Sequence, residues 1–135
     1  MVKKIAIILG SFHQREMAIM LSEAQKTAAE HSLEIVKEVW VPGSFEKPLA
    51  LKKVFTELDV DAAVILGIIE RGETKHGLVM GQSVTTAIID LQLEFMKPVG
   101  MGVLGPEILP DQIEPRLVPY ARAAVEALAK LEIDF

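Results

Sequence analysis

The sequence predicts an α/β fold in which helices cover both faces of a parallel sheet, and three observations carry that expectation. Short apolar runs alternate in order with longer segments whose apolar residues recur at helical spacing. One of the runs, Ala62 to Ile69, is continuously apolar, as a strand buried on both faces must be. Strands separated by helices need parallel neighbours joined by right-handed crossovers. With 135 residues the chain holds one domain around one sheet and is too short for two.

The first strand is Lys4 to Leu9, ended by Gly10, after which Arg15 to His31 places Met17, Met20, Leu21, Ala24 and Ala28 on a helical stripe. Leu33 to Val41 is rich in β-branched residues and stops at Pro42-Gly43, which makes it the second strand. A helix over Phe45 to Leu58 follows, with Leu49, Leu51, Val54, Phe55 and Leu58 at helical intervals. The third strand, Ala62 to Ile69, leads through the polar loop Glu70 to Lys75 into a helix from about Gly77 to Phe95. Pro98 to Leu104 supplies the fourth strand and Gly105 to Pro110 a loop, with Asp111 as the next N-cap. Pro119 should split the stretch from Asp111 to Lys130 into two helices, because proline removes a helical hydrogen bond and clashes with the preceding turn.

Composition narrows the function classes. Apolar residues make up 50% and charged ones 24%, which excludes the polar, charge-rich signature of disordered chains. No apolar stretch approaches the roughly 20 residues of a membrane-spanning helix, so no membrane association is expected, and the high apolar content points to surface hidden between subunits. The basic start, Met1-Val2-Lys3-Lys4, is read as the approach to the first strand and not as a signal peptide. The absence of cysteine excludes disulfides, thiolate catalysis and cysteine-ligated metal, and it is compatible with a cytoplasmic protein. A net charge of -5 offers no footprint for nucleic acid.

In open parallel sheets ligands bind beyond the carboxyl ends of the strands. Four segments should therefore converge: Gly10 to Gln14, Pro42 to Glu46, Glu70 to His76 and Leu104 to Pro110. Phe12 in the first either plugs the end of the sheet or a subunit seam, or stacks on a flat heterocycle. In the second, Ser44 and Glu46 either cap and favour a helix start or face the cleft together with the amides near Phe45. Arg71-Gly72-Glu73-Thr74-Lys75-His76 is either a solvated charged turn or a ligand loop. In the latter, Gly72 lets the backbone approach, Thr74 and free N–H groups hold phosphate oxygens, and His76 offers an imidazole for proton transfer. Arg116 and Arg122, beside the apolar face of Leu117, Val125 and Leu128, are either solvated or capture phosphate across a subunit boundary. His13, His31 and His76 have no recognisable metal-ligand spacing, and no P-loop, nucleophile elbow or dinucleotide fingerprint occurs. Acid–base chemistry without metal or cofactor is the class that remains.

Taken in order, Gly-Ser-Phe after the first strand, Val-Pro-Gly-Ser-Phe-Glu-Lys-Pro after the second, Arg-Gly-Glu-Thr-Lys-His after the third and Gly-Val-Leu-Gly-Pro at the fourth resemble the lumazine synthases, especially short archaeal-type members. The likeness runs over nearly the whole chain. It implies a flavodoxin-like, three-layer α/β/α sandwich around a four-stranded parallel sheet. It also implies a cofactor-free condensation of a ribitylamino-pyrimidine with a four-carbon sugar phosphate, and a homo-oligomer of one or more pentamers. By the same resemblance Phe12 stacks on the pyrimidine, Ser44, Phe45 and Glu46 hold the ribityl chain, and Gly72, Glu73 and Thr74 bind the phosphate, with Arg116 arriving from a neighbouring subunit. His76 corresponds to the proton-transfer histidine and Arg122 to a lysine near the pyrimidine. Two alternatives accompany this expectation. One is the similar archaeal-type pentameric riboflavin synthase. The other is a flavin- or lumazine-binding or shell-forming paralogue without turnover, motivated by Gly77-Leu78 after His76 where the family commonly has an aromatic and an acidic residue.

Overall fold

The structure, a computed structural model, describes residues 1–133. In chain order it contains β1 (Lys4–Gly10), α1 (Gln14–Glu30), β2 (Glu34–Val41), a single tight helical turn (Ser44–Glu46), α2 (Lys47–Glu57), β3 (Ala62–Glu70), α3 (His76–Phe95), β4 (Val99–Ile108) and α4 (Pro110–Lys130). The strands pair in parallel in the order β2-β1-β3-β4. The chain thus winds one way from β1 to β2 and the other way from β3 to β4, which puts a topological switch point between the carboxyl ends of β1 and β3.

Alternation along the two central strands divides the core by sheet face. Ile5, Ile7, Leu9, Val64, Leu66 and Ile68 meet Met17, Met20 and Ala24 of α1 and Leu117, Ala121 and Val125 of α4. Ala6, Ile8, Ala63 and Ile65 meet Leu51, Val54 and Phe55 of α2 and Val84 and Ile88 of α3. This is the three-layer α/β/α architecture that the residue pattern predicts. Among the described residues no helix is long and apolar enough to cross a membrane.

Three local expectations are corrected. Proline does not split the last helix: α4 is continuous with both Pro115 and Pro119 inside it. The two prolines stand one turn apart on the exposed face, where water can serve the carbonyls they leave unbonded. On the opposite face the stripe of Ile113, Leu117, Ala121, Val125 and Leu128 is buried and holds the helix to the sheet and to α1. Asp111 is not the N-cap. The helix opens with Pro110 in its first turn, where a missing N–H costs nothing, and the Gln112 side chain accepts the Leu109 N–H at 2.9 Å.

Gly105 to Ile108 is strand and not loop. β4 is an edge strand, and Pro106 falls at a register shift between the paired residues Leu104 and Ile108, where a proline is tolerated; beyond the shift Ile108 pairs with Glu70. Gly105 is required at this irregularity: its φ is +92°, and a β-carbon would run into the Ile69 carbonyl oxygen. In α2, Leu49 points outward, 75% exposed, while Lys47 occupies the buried stripe with Leu51, Val54 and Phe55.

Candidate functional site

A cleft of about 480 Å³ opens at the switch point, within the range of small-molecule sites. Three loops build it. From the end of β1 come Gly10, Phe12 and His13; from the segment after β2 come Gly43, Ser44, Phe45, Glu46 and Lys47; from the end of β3 and the start of α3 come Gly67 to Glu70, Gly72, Thr74, His76 and Gly77. Met17 of α1 and Met80 of α3 complete its apolar lining.

The segments are held by a few short contacts. The Ser11 amide donates to the Val41 carbonyl at 2.8 Å, tying the first loop to the end of β2. His13 Nε2 contacts Glu70 Oε1 at 2.7 Å and so joins the loops after β1 and β3 across the mouth of the cleft. The His76 amide donates to Thr74 Oγ1 at 3.3 Å, shaping the turn that starts α3. Arg71 braces the base of that turn, with its amide on the Ile108 carbonyl at 2.9 Å and its guanidinium 3.3 Å from Glu107. The Phe45 and His76 rings lie edge-on with centroids 6.0 Å apart, so an apolar face and an imidazole border the same space. Phe12 reaches into solvent, 83% exposed, its ring against His13 with centroids 4.9 Å apart.

Lys47 is the one charged residue that is buried among the described residues, at 2% exposure. Its side chain crosses the carboxyl ends of β1 and β3. A β-carbon on Gly67 would collide with its ammonium, and one on Gly10 would sit 3.7 Å from its Cε. The ammonium donates to Ser44 Oγ at 3.4 Å and takes part in none of the ion pairs among the described residues. Burial lowers its pKa from the usual lysine value to about 8, against the opposing pull of the Glu46 carboxylate.

Of the residues singled out in the sequence, Phe12, Ser44, Phe45, Glu46, Gly72, Thr74 and His76 line this cleft. Ser44 is buried, and its hydroxyl serves Lys47 instead of capping a helix. Glu73 stands in the same exposed turn as Gly72 and Thr74 but is not part of the lining. The fourth expected segment does not reach the cleft. With Arg116 and Tyr120 it borders a shallower hollow of about 280 Å³, where Arg116 donates to the Gln112 carbonyl at 3.0 Å. Arg122 does not line the cleft either and faces α1. It clasps Glu30 of α1 at 2.9 Å and Glu23 at 3.4 Å, pairings that raise the pKa of the guanidinium and lower that of Glu30.

Sequence reading passed over Lys47 and the His13–Glu70 pair. The signal for Lys47 was present: it falls in phase with Leu51, Val54 and Phe55 on the helical repeat, and Gly67 interrupts an otherwise bulky strand. The His13–Glu70 contact joins residues 57 apart in sequence and has no local signature. No group of three or more His, Asp or Glu side chains that could hold a metal ion occurs among the described residues.

Residues 2–132 match the sequence pattern of the family described as 6,7-dimethyl-8-ribityllumazine synthase. A protein of that name from Metallosphaera sedula is 37% identical over 128 residues, covering 95% of this chain and 85% of its own. One from Methanococcus maripaludis is 36% identical over 129 residues, covering 95% and 93%. Another, from Saccharolobus islandicus, is 36% identical over 128 residues, covering 95% and 83%.

Proposed function

The chain belongs to the 6,7-dimethyl-8-ribityllumazine synthase family and is an enzyme, a transferase of riboflavin biosynthesis, and we propose that its chemistry takes place in the cleft between the ends of β1 and β3. There it condenses 5-amino-6-ribitylamino-pyrimidinedione with 3,4-dihydroxy-2-butanone 4-phosphate to give the lumazine, water and inorganic phosphate. The observation that supports this site most is the meeting of Phe12, Phe45, Thr74 and His76, from three separate loops, around one volume.

In this reading Phe12 covers the flat pyrimidine, and Ser44, Phe45 and Glu46 hold its polyhydroxylated chain. Gly72, Glu73 and Thr74 take the phosphate at the start of α3, where a helix offers unpaired N–H groups to an anion. A β-carbon on Gly72 would meet nothing within 4 Å, so the space beside that backbone is open to a ligand. Catalysis is then largely a matter of position. Holding the arylamine against the ketone removes several kcal/mol of entropic cost. His76, beside Phe45, moves protons during imine formation and phosphate loss, and the N–H groups that anchored the phosphate stabilise it as it leaves. Ring closure and loss of water complete the product.

The proposed working form is a homo-oligomer of one or more pentamers, with Arg116 of a neighbouring subunit completing the phosphate site. Large apolar side chains left more than half exposed include Phe12 and Phe45 at the cleft and Leu49, Val79 and Leu93 on α2 and α3, and they support subunit contacts. The deciding experiment supplies purified protein with the pyrimidine and the butanone phosphate, and separately with lumazine alone. Lumazine formed from the pair is expected; riboflavin formed from lumazine alone would replace this reading with a riboflavin synthase.

A further inference from the structure

We propose that Lys47 acts as a covalent amine catalyst, forming an imine with the ketone of the sugar phosphate and passing that carbon to the arylamine. The inference rests on the reading of the cleft given above and adds to it a nucleophile that this reading does not use.

The placement is specific. Lys47 lies at the start of α2 on the buried stripe, and its side chain crosses the switch point of the sheet, where Gly10 and Gly67 leave room for it. It lines the cleft that His13, Glu46, Glu70 and His76 border with titratable groups, yet among the described residues the ammonium has only the Ser44 hydroxyl as a hydrogen-bond partner. A lysine used for structure finds a carboxylate or extends its ammonium to water. One kept dry and without an ion pair has its neutral form favoured, and a neutral amine attacks carbonyl carbon. Burial supports this by bringing the pKa down to about 8, so a usable fraction of amine exists near neutrality.

The steps balance without an added reagent. The amine lone pair adds to the ketone carbon, and the carbinolamine hydroxyl leaves as water with a proton from solvent, which gives an iminium on Lys47. The 5-amino group of the pyrimidine adds to the same carbon, the Lys47 amine departs with one of that group's two protons, and the other returns to solvent, restoring the enzyme and leaving the substrate-derived imine. The net change is ketone plus arylamine to imine plus water. The iminium route gains because a cationic carbon is a better electrophile than the neutral ketone.

The test treats the intact enzyme with butanone phosphate in the absence of pyrimidine, reduces with borohydride, and locates the modified peptide by mass spectrometry. A reduced adduct at Lys47, diminished when the pyrimidine is added, is expected. Lys47→Met and Lys47→Arg should each lower kcat on the order of tenfold or more. An enzyme that makes lumazine but carries no adduct at Lys47, or variants that keep the parent kcat, overturn the proposal. An enzyme trapped at Lys47 that makes no lumazine supports the imine and removes the reaction assigned to the cleft. Trapping on the parent protein keeps the test decisive even if neither variant folds.

Discussion

Replacing Lys47 by methionine should make the enzyme more stable near neutral pH. Folding carries this side chain into a site where desolvation lowers its pKa from 10.5 to about 8. With each pH unit worth about 1.4 kcal/mol, the folded state bears about 3 kcal/mol of penalty for the charged form. The sign follows from proton binding. Between about 8 and 10.5 the unfolded chain holds the proton and the folded chain has released it, so stability rises with pH across that window. The full penalty is present below about 8 and is gone above 10.5. Methionine has a similar reach and no charge, so it fills the space over Gly10 and Gly67 without the penalty. Denaturant titrations of parent and Lys47→Met at equal protomer concentration measure the difference, and taking that difference cancels every group the two share. A gap of about 3 kcal/mol near neutrality that closes as pH passes 10.5 is expected. A variant no more stable than the parent, or a gap that does not change with pH, would refute the argument.

Further outcomes follow from the same geometry. His76→Ala should lower kcat by about 10²-fold or more while product affinity, read by fluorescence titration, holds; equal rates would remove His76 from proton transfer. Gly100→Ala should destabilise by about 1–3 kcal/mol in chemical denaturation, because the new methyl meets the Ala124 carbonyl where β4 packs on α4. Gly72→Ala should leave stability unchanged, having nothing within 4 Å to strike, but raise KM for the sugar phosphate; an unchanged KM would argue against close approach of a ligand there. Sedimentation should show a multiple of five subunits, and a fully active monomer would contradict a site completed by Arg116 of a neighbour.

What could be read from sequence was whatever repeats with a period. The strands and helices follow from apolar spacing, and the cleft follows from parallel topology, since loops leaving the same edge of a sheet must share one end of it. That is why Phe12, Ser44, Thr74 and His76 were found together although up to 64 positions of chain separate them. What could not be read depends on context that periodicity does not encode. Pro119 looks like a break because its local cost is clear, whereas the packing of Leu117, Ala121 and Val125 that outweighs it comes from α1 and the sheet. Gly105 and Pro106 look like a loop because nothing local says that β4 is an edge strand, where a proline is tolerated. The role expected of Arg122 comes from the family resemblance, and only the fold brings Glu23 and Glu30 of α1 within its reach.

Lys47 shows how the fold and the chemistry constrain each other. A charge at this depth opposes folding, and among the described residues no carboxylate closes an ion pair with it: Glu46, its neighbour in the chain, offsets only part of the cost of burial. Two strands instead forgo side chains at Gly10 and Gly67, which weakens each of them and gives up apolar contact of the kind that Leu9, Leu66 and Ile68 make. Both costs fall at the one place where the winding of the sheet reverses and a ligand has room to enter. The two apolar faces of the sheet, buried from Ile5 to Leu9 and from Ala62 to Leu66, are what allow the fold to carry them. A stabilising substitution at the floor of an active site is the signature of a group retained for reactivity, so the stability gain and the loss of turnover in Lys47→Met should appear together.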